Sequence, residues 1–156
     1  MTVEEEIKKA HTILDHYIQN QGLRKTKERY VLLDFIYRKK EHFTAPSLLK
    51  EIKDHFYLSK STVYYNLELF EKAGLIIRHH FNSDVEYEKI TRATTHHHRI
   101  CIECGQIKEF TDKKLQKVIN AKKFSAFDVH YSAVYLYGYC KKCAKKHKEK
   151  PLNKKR

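Results

Sequence analysis

Residues 59–89 read SKSTVYYNLELFEKAGLIIRHHFNSDVEYEK, and the order of patterns within them decides the fold. Val63, Leu67 and Phe70 recur at i, i+4 and i+7, with Ser59 or Ser61 available as N-cap. This spacing predicts a helix over about residues 62–73. Gly74 stands at the C′ position, where a helix commonly turns left-handed. Two strand-like stretches follow, 75–81 and 85–89, split by the turn chemistry of Asn82, Ser83 and Asp84. A helix that runs into a hairpin is the second half of a winged helix-turn-helix.

The upstream sequence supplies the rest of that motif. Residues 3–20 carry Ile7, Ala10, Ile13, Leu14, Tyr17 and Ile18 at helical spacing, and Gly22 ends the run. Thr26 can cap a second helix bearing Val31, Leu32, Phe35 and Ile36. Thr44 can cap a third, with Pro46 in its first turn and Leu48, Leu49, Ile52 and Phe56 as its apolar face. The helix before the hairpin is then the recognition helix. Away from the core stripe it presents Lys60, Ser61, Thr62, Tyr64 and Tyr65, whose hydroxyls, aromatic rings and ammonium suit phosphates and base edges. An ordinary helical bundle with a polar face is the plainer alternative. A formal net charge of +13 and the wing favour a nucleic-acid partner over it.

After residues 90–96, a polar hinge, the period changes to two. Stretches 98–102, 107–110 and 130–139 read as strands, with a helix over about 112–124. The run from Tyr131 to Tyr139 is apolar on both sides, so it asks for two buried faces or a partner subunit. The expected architecture is α+β, an N-terminal winged-helix DNA-binding domain (1–89) and a small α/β dimerisation and metal-binding domain (97–145). Residues 146–156 complete it as a basic, disordered tail. No apolar run approaches a membrane span, and the acids and lysines at 4–9 exclude a signal-peptide core, so a cytoplasmic protein without membrane contact is expected.

The chain has four cysteines, all in two Cys-x-x-Cys pairs: Cys101 with Cys104, and Cys140 with Cys143. Two intervening residues let both sulfurs of a pair face one point, as tetrahedral zinc requires. Disulfides or a redox dithiol are the alternatives. The first is rare in a reducing compartment, and the second calls for one pair beside a βαβ pattern. A four-thiolate site has no open coordination position and suits structure rather than catalysis. A second ligand set lies beside it. His96 and His98 alternate along a strand start and share a face, Glu109 lies on the next strand, Glu88 closes the wing and His42 precedes the third helix. Imidazole with carboxylate suits Fe(II), Mn(II), Co(II) or Zn(II). A solvated histidine-rich linker is the bland reading of the same residues.

These motifs resemble the ferric uptake regulator family of bacterial metal-dependent repressors. The stretch from His96 to Gly105 (HHHRICIECG) is similar to the family's His-His-Asp-His-x-x-Cys-x-x-Cys-Gly signature, and Lys108-Glu109-Phe110 follows at the family's spacing. Ser61-Thr62-Val63-Tyr64-Tyr65 resembles its recognition-helix motif Ala-Thr-Val-Tyr-Arg, and Gly22-Leu23-Arg24-Lys25-Thr26 resembles its entry to the second helix. Tyr135-Leu136-Tyr137-Gly138-Tyr139-Cys140 is similar to its last core strand. The resemblance covers about residues 10–145.

The resemblance implies structural Zn2+ on the four cysteines and a regulatory ion, Fe2+ or else Mn2+ or Zn2+, on His42, Glu88, His96, His98 and Glu109. It implies a homodimer on double-stranded DNA, at an A/T-rich inverted-repeat operator, with Arg24 entering the minor groove and Tyr64 contacting bases. It also marks departures. Tyr65 stands where the family has Arg, and His97 where it has Asp. The positions of a third metal site found in some members are Thr95, His97, Gln116 and Ser132, so that site is expected to be absent or rebuilt, with His130 nearby. Glu at both 88 and 109, rather than Asp, leans toward an iron-dependent repressor of iron-uptake genes. A peroxide, manganese or zinc sensor is the rival within the family. A zinc-dependent enzyme and a constitutive nucleic-acid binder are rivals outside it.

Overall fold

Thr2 starts the first helix with a reciprocal cap: its hydroxyl accepts from the Glu5 amide, and the Glu5 carboxylate accepts from the Thr2 amide. This is a computed structural model, and it describes residues 2–81, 84–91, 96–129 and 131–148. The expected turn residues Asn82 and Ser83, the hinge stretch 92–95, His130 and tail residues 149–156 lie outside the described residues. The chain forms two compact units, Met1–Thr94 and Thr95–Arg156.

In the N-terminal unit, α1 (Val3–Asn20) buries Ile7, Ala10, Leu14 and Ile18. Ile13, expected on the same stripe, is 46% exposed, because it lies one residue before Leu14 and so about 100° around the helix. Helix α2 (Lys27–Arg38) has Thr26 as N-cap, without a side-chain cap bond. Helix α3 (Ala45–Ile52) opens on a reciprocal Thr44–Ser47 cap. Phe56 falls beyond the end of α3 rather than on its face, and packs on the core from the following segment. Helix α4 (Lys60–Lys72) begins two residues earlier than expected, because Ser59 is its cap and accepts from the Thr62 amide at 3.1 Å. Gly74, at φ +69°, ends it as the Leu75 amide returns to the Phe70 carbonyl. Leu32, Ile36, Leu48, Leu67 and Phe70 form the fully buried centre.

Strands β1 (Ile76–Phe81) and β2 (Asp84–Lys89) pair antiparallel from Phe81↔Asp84 to Ile76↔Lys89. Asp84 therefore belongs to the strand, not to the turn. Tyr37 ties down the base of this wing: its hydroxyl donates to the Leu75 and Ile90 carbonyls at 2.9 and 3.2 Å. Burial pushes that hydroxyl's pKa up.

In the C-terminal unit, β3 (His97–Cys101) lies between β4 (Ile107–Phe110), antiparallel to it, and β5 (Tyr135–Gly138), parallel to it. Helix α5 (Lys113–Asn120) is capped by Asp112, and α6 (Lys141–Lys148) follows β5. Three expectations are corrected. Among the described residues of the strand expected over 130–139, only Tyr135–Gly138 is strand; the Val134 amide donates to His97 Nδ1. The helix expected to 124 ends at Asn120, and Phe124 bridges Phe127. Residues 146–148, read as tail, continue α6. Among the described residues of this unit only Ile100, Cys101 and Cys143 are buried hydrophobics, while Val118, Phe124, Phe127, Leu136 and Tyr137 are exposed. Among the described residues no helix is long and apolar enough to cross a membrane.

Candidate functional site

The parallel β3–β5 pairing builds the cysteine cluster. Cys101 stands opposite Gly138, so Cys140 follows two residues beyond that register. Cys101 and Cys104 sit on the tight turn into β4, where Gly105 adopts φ +72° and its amide bonds the Cys101 carbonyl at 2.9 Å. Cys140 and Cys143 sit at the start of α6. Ligand sulfurs of all four lie within 4.8 Å of one another, with Cys104 and Cys140 at 3.9 Å. A tetrahedral ion with Zn–S of about 2.3 Å sets its sulfurs about 3.8 Å apart. All four cysteines are unbridged. Amides of Cys104 and Cys140 directed at Cys101 Sγ lower its thiol pKa to about 6. The donor set fits zinc, and Zn2+ bound there would staple the end of β3 to the start of α6.

Backbone pairing also brings His42 to Glu88. Phe43 and Tyr87 exchange both amide–carbonyl bonds, at 3.0 and 2.7 Å, as an antiparallel bridge. The residue before Phe43 then lies beside the residue after Tyr87. His42 Nε2 lies 3.1 Å from Glu88 Oε2, and His42 Nδ1 lies 3.4 Å from Glu86 Oε2. Glu88 is buried, as is His79 of β1, whose Nε2 meets the same Glu88 oxygen at 3.0 Å. The His42 and His79 rings stack at 5.3 Å. His79 and Glu86 were not anticipated from sequence. The signal was present in the hairpin register, which puts His79 opposite Glu86 and two residues from the Ile77–Glu88 pair. Reading Asp84 as a turn residue displaced that register.

In the C-terminal unit the β3–β4 register sets His98 opposite Glu109, on one face. His96 shares that face: its Nε2 is 3.8 Å from Glu109 Oε1, and its ring meets that of His98 edge-on at 4.9 Å. His98 is fully buried and stacks on Tyr135 at 5.5 Å. His97 points the other way, is fully buried, and accepts from Val134 through Nδ1, which leaves the ring proton on Nε2. Of the other third-site positions, Gln116 donates to Ser132 Oγ at 3.3 Å and Asn120 Oδ1 at 2.8 Å, whereas Thr95 lies outside the described residues.

On α4, Lys60, Ser61, Tyr64 and Tyr65 are exposed, and Lys60 Nζ lies 5.7 Å from the Tyr64 ring centre. Thr62 is half-buried and its hydroxyl bonds Ser59 Oγ at 2.7 Å, so it serves the helix cap. Arg24 is exposed on the segment between α1 and α2. A buried pair, unforeseen in the sequence, holds this surface together. Arg29 donates to the Arg24 carbonyl at 2.5 Å and to Asn66 Oδ1 at 2.9 Å, and Asn66 donates to the Thr62 carbonyl at 2.8 Å. A buried arginine fixes the Arg24 backbone to the exposed helix.

Comparison with known proteins agrees with this geometry. Residues 20–137 match the ferric uptake regulator family. The chain is 32% identical over 132 residues to the ferric uptake regulation protein of Bordetella parapertussis, covering 82% of this chain and 94% of that one. It is 30% identical over 132 residues to the peroxide operon regulator of Bacillus subtilis, covering 83% and 90%. Its fold is similar to the Helicobacter pylori ferric uptake regulator, a structure described as revealing three functional metal-binding sites. That likeness has a TM-score of 0.65 and 26% identity, and covers 92% of this chain and 95% of that one. The winged-helix order, the clustered cysteines and the family match together show that the chain belongs to the ferric uptake regulator family.

Proposed function

We propose that this regulator is a homodimeric, Fe(II)-dependent repressor of iron-uptake genes that binds an A/T-rich inverted repeat in double-stranded DNA. The observation that carries the reading is that each unit holds half of a hard–borderline ligand set. His42 and Glu88 are adjacent in the N-terminal unit, and His96, His98 and Glu109 share a face in the C-terminal unit. One ion held by both halves fixes the angle between the DNA-binding and dimerisation units. Metal then selects the arrangement that matches successive DNA half-sites. Carboxylates at 88 and 109, with no cysteine beyond the four-sulfur cluster, support Fe(II) over a thiolate-rich zinc sensor.

Lys60, Ser61, Tyr64, Tyr65 and Arg24 form the DNA surface in this reading, with Thr62 beneath it in the helix cap. Zn2+ on Cys101, Cys104, Cys140 and Cys143 is structural and leaves no open position for catalysis at that site; in this reading the protein is a cytoplasmic regulator and not an enzyme. The exposed apolar side chains of α5 and β5 support the homodimer: a unit with so few buried hydrophobics gains its core by pairing. Operator binding titrated with Fe(II), Mn(II) and Zn(II) at fixed salt tests the proposal. Binding that ignores metal and survives His96→Ala with His98→Ala contradicts it. The similarity to the Bacillus peroxide regulator supports a second reading, peroxide sensing. In that case exposure of the metal-loaded repressor to hydrogen peroxide lowers its operator affinity.

A further inference from the structure

We propose that His79 is itself a ligand of the regulatory ion, so that His42, His79 and Glu88 form a three-donor set carried wholly by the N-terminal unit. The inference rests on the reading that the ion binds at His42 and Glu88. Its own support is geometric. One ligand atom from each of the three residues lies within 4.8 Å of the others. The His79 side chain is fully buried, on a wing strand whose neighbours in sequence, Arg78 and His80, are exposed. Its Nε2 and that of His42 approach one Glu88 oxygen at 3.0 and 3.1 Å. Ligands about 2.1 Å from an octahedral ion lie about 3.0 Å apart when adjacent. The pocket is therefore spaced for coordination with little movement.

Glu86 completes the arrangement as a positioning residue. Its carboxylate lies 3.4 Å from His42 Nδ1. A proton held between them would leave the Nε2 lone pair for the ion, as carboxylates do for metal-bound histidines. The winged-helix unit then supplies three donors to the ion by itself. A buried imidazole and a buried carboxylate, His79 and Glu88, also need a compensating cation more than an exposed cluster does.

Loss of affinity alone does not separate a ligand from a residue that orients Glu88, since either role costs about 10–100-fold. A gain of signal does. With zinc kept on the four cysteines, Co(II) is added to the full-length protein carrying His79→Cys. A thiolate bound to that cobalt produces a sulfur-to-cobalt charge-transfer band in the near ultraviolet. In the wild-type sequence background, His79→Gln removes one hyperfine-shifted imidazole proton from the Co(II) NMR spectrum. Far-UV circular dichroism and zinc stoichiometry establish that each variant is folded. A fully Co(II)-loaded His79→Cys protein without the band, together with an unaltered set of shifted protons in His79→Gln, overturns the inference. If His42→Ala disrupts the cobalt site in that same case, only the role of His79 is lost. If His42→Ala also leaves the cobalt spectrum unchanged, the regulatory-site reading falls with it.

Discussion

Asn66→Ala should destabilise this protein far more than its small polar side chain suggests. Asn66 is 3% exposed, and its Oδ1 receives the Arg29 Nε proton at 2.9 Å. Arg29 is 6% exposed and keeps its second bond, to the Arg24 carbonyl. Truncation leaves a buried guanidinium donor without its acceptor, and a hydrogen bond to a charged group contributes about 1.5–3 kcal/mol. The lost Asn66–Thr62 bond adds little, because the Thr62 carbonyl remains within its own helix. The expected cost is about 2–3 kcal/mol. Urea unfolding of the zinc-loaded protein, at fixed concentration and followed by circular dichroism, should show the midpoint fall by about 1 M at a slope of about 2–3 kcal/mol per M. The double variant Arg29→Met with Asn66→Leu should recover part of the loss, since it removes donor and acceptor together. A change below about 0.5 kcal/mol for Asn66→Ala would refute the reasoning, because Arg29 would then be solvated without its partner.

Three further outcomes follow from the same structure. Tyr37→Phe removes the hydroxyl that joins the Leu75 and Ile90 carbonyls at the wing base, and should cost about 1–2 kcal/mol in the same urea assay. Cys101→Ser should eliminate the tightly held zinc in native mass spectrometry and dissociate the dimer; a zinc-free dimer of unchanged stability contradicts the staple. Tyr65→Arg adds a cation to the exposed face of α4, so the slope of log affinity for DNA against log salt should steepen by about 0.9. An unchanged slope excludes Tyr65 from the DNA interface.

The N-terminal fold was legible because each of its elements carries its own signal. Val63, Leu67 and Phe70 face inward as their spacing demands, and Gly74 takes the left-handed turn that a helix C′ position requires. The C-terminal unit was less legible. Its apolar run from Tyr131 reads as one long strand, yet only Tyr135–Gly138 pairs, because the register is set by β3 and by His97 rather than by local pattern. Helix α6 hides in a lysine-rich stretch in which Cys143 is buried and held by the cysteine cluster. The candidate site followed the same rule. Alternation along one strand puts His96 and His98 on one face, with Glu109 on the next strand, whereas the place of His79 depends on the pairing register of a hairpin and that of Arg29 on a contact 37 residues away.

The central claim is that one ion, bound by ligands from both units, sets the affinity for DNA. The most direct measurement is the Mn(II) affinity of the zinc-loaded dimer with and without operator duplex, in parallel with operator affinity with and without Mn(II). The account predicts that each ligand strengthens the other by the same factor. A factor of about 100 corresponds to roughly 2.7 kcal/mol of coupling. It also predicts that His42→Ala, which removes a ligand of the N-terminal unit alone, lowers that factor. A factor of 1 in the unaltered protein, or a factor unchanged by His42→Ala, contradicts it.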